Sequence, residues 1–219
     1  MRKFIVLVGK DLLLEARQKD VWVLMIAFAV LELFLFAFTL GDQGSRWGAA
    51  RAGILWMGFL FAGMLSIGRS YARESQEDTL TALSLAPGGR MPVFWAKLAV
   101  AFVAMVTMEG VVVPLYAMLF NLPQSLLSGP LALVLVLGAL GVVAVGTLMA
   151  AVGFNLSGHD TVMPILLMPL EVPVAITAVQ ATAQLWQHGD PWPWIHGLMA
   201  FDMVFLALPL LAYEFLWEV

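Results

Sequence analysis

Val21-Trp-Val-Leu-Met-Ile-Ala-Phe-Ala-Val-Leu-Glu32-Leu-Phe-Leu-Phe-Ala-Phe-Thr-Leu40 carries a single ionisable side chain, Glu32. A helix that crosses roughly 30 Å of hydrocarbon needs about 20 mostly apolar residues, and residues 21–40 have that length. Five more runs of the same kind follow, at about 52–68, 92–120, 130–154, 161–186 and 192–217. The fifth contains Pro164, Pro169 and Pro173, and the sixth Asp202 and Pro209. Turn-forming stretches separate the runs: Gly41-Asp-Gln-Gly-Ser45, Pro87-Gly-Gly89, Asn121-Leu-Pro123, Ser157-Gly158 and His188-Gly-Asp-Pro191. Backbone in lipid must satisfy its own hydrogen bonds, which a helix does and an open strand does not. The runs are also too long for barrel strands of about ten residues.

Composition agrees. Of 219 residues 62% are hydrophobic and only 12% charged, against about a quarter charged in a soluble domain. The sequence therefore predicts an all-α integral membrane protein, one transmembrane domain over 1–219 with six transmembrane helices. The absence of cysteine excludes disulfides, thiolate metal sites and a cysteine nucleophile. A net charge of −4 gives no reason to expect nucleic acid. Arg2 and Lys3 resemble the start of a signal peptide, but Lys10 and Asp11 interrupt the apolar run too early, so none is expected.

All 11 basic residues fall within the first 97 positions. Arg2, Lys3, Lys10, Arg17 and Lys19 precede the first span; Arg69, Arg73, Arg90 and Lys97 flank the connection between spans two and three; only Arg46 and Arg51 lie in the first loop. Cytoplasmic loops are enriched in Lys and Arg, so both termini are expected in the cytoplasm. Residues 1–20 read as an interfacial helix, with Lys3, Lys10 and Arg17 on one stripe and Ile5, Val8, Leu12 and Ala16 opposite.

The connection from Arg69 to Pro87 is longer than a turn requires. Arg73, Glu74, Glu77 and Asp78 charge its first half; Leu80 and Leu83, three apart, share a helical face in its second. Thr79 is placed to cap that helix and Pro87-Gly-Gly89 to end it. The expected element is a cytoplasmic coupling helix that docks into a partner's groove, the alternative being a solvated loop.

Glu32, Glu109, Glu171 and Asp202 fall inside spans. A carboxylate near a helix centre costs about 2.5–3.5 kcal/mol on insertion scales and should face the interior, pair, or hold a proton. Few cations are at hand, since Lys97 lies near a span end, where it can snorkel. Two readings stand side by side: a transport role, or carboxyls that donate to backbone freed by proline, as Pro114 frees Gly110 beside Glu109. His159, His188 and His196 are imidazoles of the kind that ligate haem iron, but no second ligand is placed by spacing. Ser157, His159 and Asp160 hold triad chemistry, yet a triad needs convergence in space rather than adjacency in sequence. Trp186, Trp192, Trp194 and Trp217 near span ends read as an aromatic belt. No phosphate-binding loop is present: the one Gly-Lys, Gly9-Lys10, has Phe4 where the first glycine belongs and Asp11 where Ser or Thr belongs. ATP hydrolysis is therefore not expected of this chain.

An ordered set of short stretches resembles the haem exporter protein B (CcmB) family. It comprises Gly53-Ile-Leu-Trp56 with Leu60-Phe-Ala-Gly63, Gly68-Arg-Ser-Tyr-Ala-Arg-Glu74 through Leu80 and Leu85-Ala-Pro87, Lys97-Leu98, Val113-Pro-Leu115, Gly146-Thr-Leu148, Leu167-Met-Pro-Leu170 and Ala200-Phe-Asp202. Departures are Asp78, Asn155-Leu-Ser-Gly-His-Asp160 and Glu171, where the family more often has glycine, basic residues and an apolar residue. The resemblance implies the permease subunit of the cytochrome c maturation ABC transporter in the bacterial inner membrane. Residues 73–85 would dock a separate ATP-binding subunit (CcmA-like). It further implies a homodimer of permease chains, a haem-handling subunit (CcmC-like), a small single-span subunit (CcmD-like) and a periplasmic haem chaperone (CcmE-like). Haem would be a transported or handled ligand of the complex and not a firmly bound cofactor of this chain. A permease of another ABC exporter is the alternative, because fold does not fix substrate.

On the transport reading, Glu109→Gln leaves membrane insertion and assembly intact while export falls. Loss of insertion, scored by membrane fractionation, would assign Glu109 to the scaffold.

Overall fold

The computed structural model describes residues 2–17, 19–40, 48–76, 91–123, 129–153 and 159–211; at 2, 3, 16, 20, 21, 40, 48, 65–76, 151–153 and 159–168 it describes the backbone alone. Seven helices account for nearly all of these residues: α1 (Arg2–Arg17), α2 (Lys19–Leu40), α3 (Gly48–Gln76), α4 (Met91–Leu119), α5 (Gly129–Gly153), α6 (His159–Trp186) and α7 (Trp192–Leu211). Each expected span overlaps one of α2 to α7, although 154 and 212–217, with Trp217, lie outside the described residues. Four stretches are long and apolar enough to cross a membrane: Trp22–Thr39, Met91–Leu119, Gly129–Ala150 and Trp192–Leu211. α3 carries a shorter apolar stretch, Ala49–Met64. α6 is 28 residues long and is diluted by His159, Asp160, Glu171, Gln180 and Gln184.

Local chemistry sets the helix ends. α4 closes with a Schellman turn: Asn121 adopts φ 49° and the Leu122 N–H reaches the Ala117 carbonyl at 2.9 Å. α6 closes in the same way, with His188 at φ 57° and the Gly189 N–H on the Gln184 carbonyl at 2.8 Å. His188 thus has a backbone role, in a left-handed conformation that glycine or asparagine more often fills. Asp190 then starts α7 by accepting from the Trp192 N–H at 3.1 Å. The connection of 187–191 between α6 and α7 is correspondingly tight.

Side-chain contacts fix the direction of every long helix. Phe28 meets Phe61, ring centroids 5.7 Å apart, and Glu32 lies over Gly58, so α2 and α3 run antiparallel. Tyr116, near the end of α4, donates to the carbonyl of Arg51, near the start of α3, at 2.8 Å. Trp56 of α3 reaches Thr182 near the end of α6. Gly138 lies against Trp56 and Gly63 against Val142, so α5 runs parallel to α3. Gly197 of α7 faces Thr177, and Asp202 faces Val174 through the Gly141 notch, so α7 opposes α6. Direction reverses at each successive helix from α2 to α7, the pattern that consecutive crossings of one bilayer require.

Trp56 joins three of these helices. It is fully buried, and its indole N–H donates to Thr182 Oγ1 at 2.9 Å. Its ring lies on the α5 backbone at Gly138, where an added Cβ would overlap the indole. One turn on, Gly141 admits the Asp202 carboxyl and Val174 equally closely; a Cβ there would stand 2.8 Å from Asp202 Oδ1. Small residues that let backbones approach, with polar groups bonding across helices, are how helices associate in lipid.

α1 packs on the start of α4, where Leu7 meets Val93 and Ala96 with Phe4 and Val8 alongside. The Trp22 indole of α2 donates to the Glu15 carbonyl at 3.0 Å, satisfying an acceptor in the last turn of α1. The face of α1 turned toward the protein is neither the basic stripe nor the apolar one opposite it. Leu7, Asp11 and Glu15 are buried, while Ile5, Val6 and Leu13 are each more than 60% exposed. Three sectors result: an acidic side toward the protein, an apolar side open to lipid, and Lys3, Lys10 and Arg17 along a third edge.

Gly138→Ala is expected to destabilise the bundle by roughly 1–3 kcal/mol, the usual range for overpacking, read as a lower unfolding temperature in detergent. Trp56→Phe keeps most of the ring and loses the hydrogen bond, at about 0.6 kcal/mol on the membrane-protein average. Gly138→Ala combined with Trp56→Leu should recover part of the loss.

Candidate functional site

Arg73 and Glu74 fall on the last turns of α3, which continues unbroken to Gln76. The connection expected to begin at Arg69 is therefore helical over its first eight residues. At 29 residues α3 is about 43 Å long, more than the roughly 30 Å of a hydrocarbon core. Its charged end thus stands clear of the apolar segment without any break. Glu77, Asp78, Leu80 and Leu83, and with them the expected coupling helix, lie outside the described residues.

The start of α4 lies at the same end of the bundle as the end of α3. Lys97 does not snorkel there: it is only 7% exposed and its Nζ lies 3.7 Å from Asp11 Oδ2 of α1. Lys10 Nζ flanks the other oxygen, Asp11 Oδ1, at 3.1 Å. The chain's basic end is thus tied to α1 through a carboxylate that composition alone did not single out. The signal was present in the sequence: Asp11 and Glu15 are one turn apart on the face that Leu7 begins.

The four intramembrane carboxyls occupy separate settings. Glu32, half-buried on α2, lies over Gly58 of α3; a Cβ there would stand 2.9 Å from its Oε2. Glu109 is buried in α4, and α4 continues through Pro114. Glu109 Oε1 is buried without a hydrogen-bond partner. Asp202 sits against Gly141 and Val174 with neither oxygen bonded. Glu171, 3% exposed, has Oε1 buried and unbonded. It lines a cavity of about 110 Å³ between α3 and α6, with Met57, Leu60, Phe61, Met64, Val172 and Ala175. No hydrogen bond or ion pair joins any two of the four among the described residues.

At the opposite end of the bundle from α1, Tyr116 stacks with Phe120 at 4.5 Å and with Trp186 at 5.7 Å, and the Arg51 guanidinium lies 5.9 Å over the Phe120 ring. Trp186 is thus half-buried against the core, whereas Trp192 is exposed as the belt reading expects. His188 and His196 are exposed at this end, and His196 lies 6.0 Å from the Trp192 ring. Of the proposed triad, Ser157 lies outside the described residues, while His159 and Asp160 open α6. Among the described residues no three His, Asp or Glu side chains group as a metal site requires.

Long apolar helices joined by buried indole and carboxyl contacts make this a multi-pass membrane protein. Residues 2–215 match the family described as CcmB protein, and the chain belongs to that family. It is 31% identical over 170 residues, 78% of each chain, to Heme exporter protein B of Rhodobacter capsulatus. It is 30% identical over 203 residues, 91% of each chain, to Heme exporter protein B of Paracoccus denitrificans. A third Heme exporter protein B, from Bradyrhizobium diazoefficiens, is 24% identical over 183 residues.

Removing Lys97 leaves the buried Asp11 carboxylate with only the exposed Lys10 as its cation, at a cost within about 1–3 kcal/mol. Lys97→Met is therefore expected to lower the unfolding temperature and loosen α1. Paired with Asp11→Leu, it should recover stability, because apolar replacement of a buried ion pair is often neutral. Protease cleavage of the first 20 residues would report the loosening.

Proposed function

We propose that this chain is the membrane-embedded permease subunit of an ABC transporter complex that exports haem, or loads and releases a haem chaperone, for c-type cytochrome biogenesis. The observation that carries it is the family match over residues 2–215, with relatives titled Heme exporter protein B. In this reading α2 to α7 are six crossings of the bacterial inner membrane, and both termini are cytoplasmic. Support comes from the strict reversal of direction and from the clustering of Arg69, Arg73 and Lys97 at the end of the bundle where α1 packs.

A separate ATP-binding subunit supplies the energy. It docks on residues 73–85, with Glu74, Glu77 and Asp78 as the acidic edge, Arg73 beside them and Leu80 and Leu83 as the apolar anchor. The continuity of α3 from Ala49 to Gln76 gives closure of that partner a rigid lever into the bundle. Haem-handling and single-span subunits, a periplasmic chaperone and a second permease copy complete the assembly. Haem is cargo in this scheme and the chain itself performs no covalent chemistry.

Expression in a bacterium lacking its own CcmB protein is expected to restore holo-cytochrome c, measured by haem staining; failure to do so, with the chain present in the membrane, would refute the cargo. A Glu74/Glu77/Asp78→Ala variant should insert normally but lose the co-purifying ATPase. Undiminished ATPase binding would refute the docking site.

A further inference from the structure

Packing sorts the ionic residues of α1 by sign. Asp11 and Glu15 are buried, and the Asp11 carboxylate is taken up by Lys97 and Lys10. Lys10, Arg17 and, at the start of α2, Lys19 are exposed. Arg17 and Lys19 have no ion pair among the described residues. At about 100° per residue, Lys10 and Arg17 adjoin the sector of Ile5, Val6 and Leu13, each more than 60% exposed. Among the described side chains, what α1 presents outward is therefore apolar or cationic.

That surface sits level with a membrane span. Leu7 packs on Val93 and Ala96, within the first two turns of α4, and those turns belong to the apolar stretch Met91–Leu119. At Leu7, α1 thus lies beside the start of a span and not beyond it. Water is a poor neighbour for Ile5, Val6 and Leu13, because exposed apolar area is unfavourable. A second protein is a poor neighbour for the edge beside them, since interface cores are depleted of lysine. A basic edge along an apolar sector is instead the composition of helices that lie at the headgroups. Lys10 meets Asp11 at 3.1 Å, and an ammonium with three donors keeps others for a phosphate. We propose that α1 is a docking surface for anionic phospholipid: the apolar sector enters the leaflet, and Lys10, Arg17 and Lys19 take the headgroup phosphates. Asp11, on the opposite side of the helix, holds Lys97, so the bound leaflet steadies the entrance of α4. The site is independent of the proposed cargo and of the docking edge on 73–85.

The chain has no cysteine, so Leu13→Cys gives a single attachment point for a nitrobenzoxadiazole fluorophore. In lipid nanodiscs, for the chain alone and in its co-purified complex, this label is expected to be quenched by phosphatidylcholine that carries a nitroxide on its acyl chain. Phosphatidylglycerol with the same nitroxide, at equal mole fraction, should associate about fivefold more strongly, the effect of one cation at an anionic surface. Arg17→Gln/Lys19→Gln should bring that preference close to one and leave quenching by phosphatidylcholine in place; Lys10 is kept so that Asp11 retains both cations. Should the double variant fail to insert, salt gives the same reading on the chain that keeps Arg17 and Lys19: at about 1 M the screening length falls to about 3 Å and the preference should collapse. An unquenched label would overturn the proposal by placing the apolar sector away from lipid. Quenching in the isolated chain that is lost in the complex would assign the sector to a partner protein and also refute it. Equal association of the two lipids, or a preference that survives the double variant or the salt, would refute the headgroup contacts. None of these outcomes depends on whether the chain supports cytochrome maturation.

Discussion

The Trp56 indole, seated on Gly138 and bonded to Thr182, is the contact from which the rest of the bundle takes its register. Lipid tails are as apolar as leucine, so burying leucine between two membrane helices gains little; close backbone approach and cross-helix hydrogen bonds do more. Here both occur at one residue. Fixing Trp56 on Thr182 sets α3 against α6, and fixing it on Gly138 sets α3 against α5. The Asp202 notch at Gly141 lies one turn along α5, and Glu171 about three turns along α6 from Thr182. The positions of two carboxyls are therefore consequences of where one indole sits.

α1 is held by a different kind of force. Its Asp11 pairs with Lys97 at the entrance of α4, directly after the segment proposed to meet the ATPase. A buried ion pair adds little net stability, but breaking it is costly, so it favours one arrangement over others. The pair and the Trp22–Glu15 contact bind α1 to both α4 and α2. Movement at the start of α4 is thereby shared with a helix whose remaining apolar side, Ile5, Val6 and Leu13, faces outward.

Much of the fold was legible because the bilayer sets it. Membrane thickness dictates the length of an apolar run, and so 21–40, 92–120 and 130–154 predict α2, α4 and α5 to within two residues. What was not legible depends on partners distant in sequence. The inward face of α1 could not be chosen from its own periodicity, because the face that wins carries carboxylates whose partner is Lys97, 86 positions beyond Asp11. Trp186 read as a belt residue because its partner ring, Tyr116, is likewise far off in the chain. α3 runs on past Gly68 because no proline or second glycine stops it before Pro87. For the candidate site, the sequence named the four carboxyls but not their surroundings, which are set by Gly58, Gly141 and Ala175 on other helices or other turns.

The arrangement of those carboxyls bears on how a cargo could pass. A polar route through a helical bundle needs charged or hydrogen-bonding groups that face one another along a shared space. In this chain three of the four carboxyls border apolar or glycine surfaces: Glu32 the backbone at Gly58, Asp202 that at Gly141, and Glu171 in the wall of a methionine-lined cavity. The centre between α3, α5 and α6 is closed by Trp56, Phe59 and Val142, all fully buried. A planar tetrapyrrole with two carboxylates is far larger than the one cavity described and would meet no cation along it. On the proposed reading, the chain therefore works as a lever and a wall, and the surface that meets haem is one it forms together with other subunits.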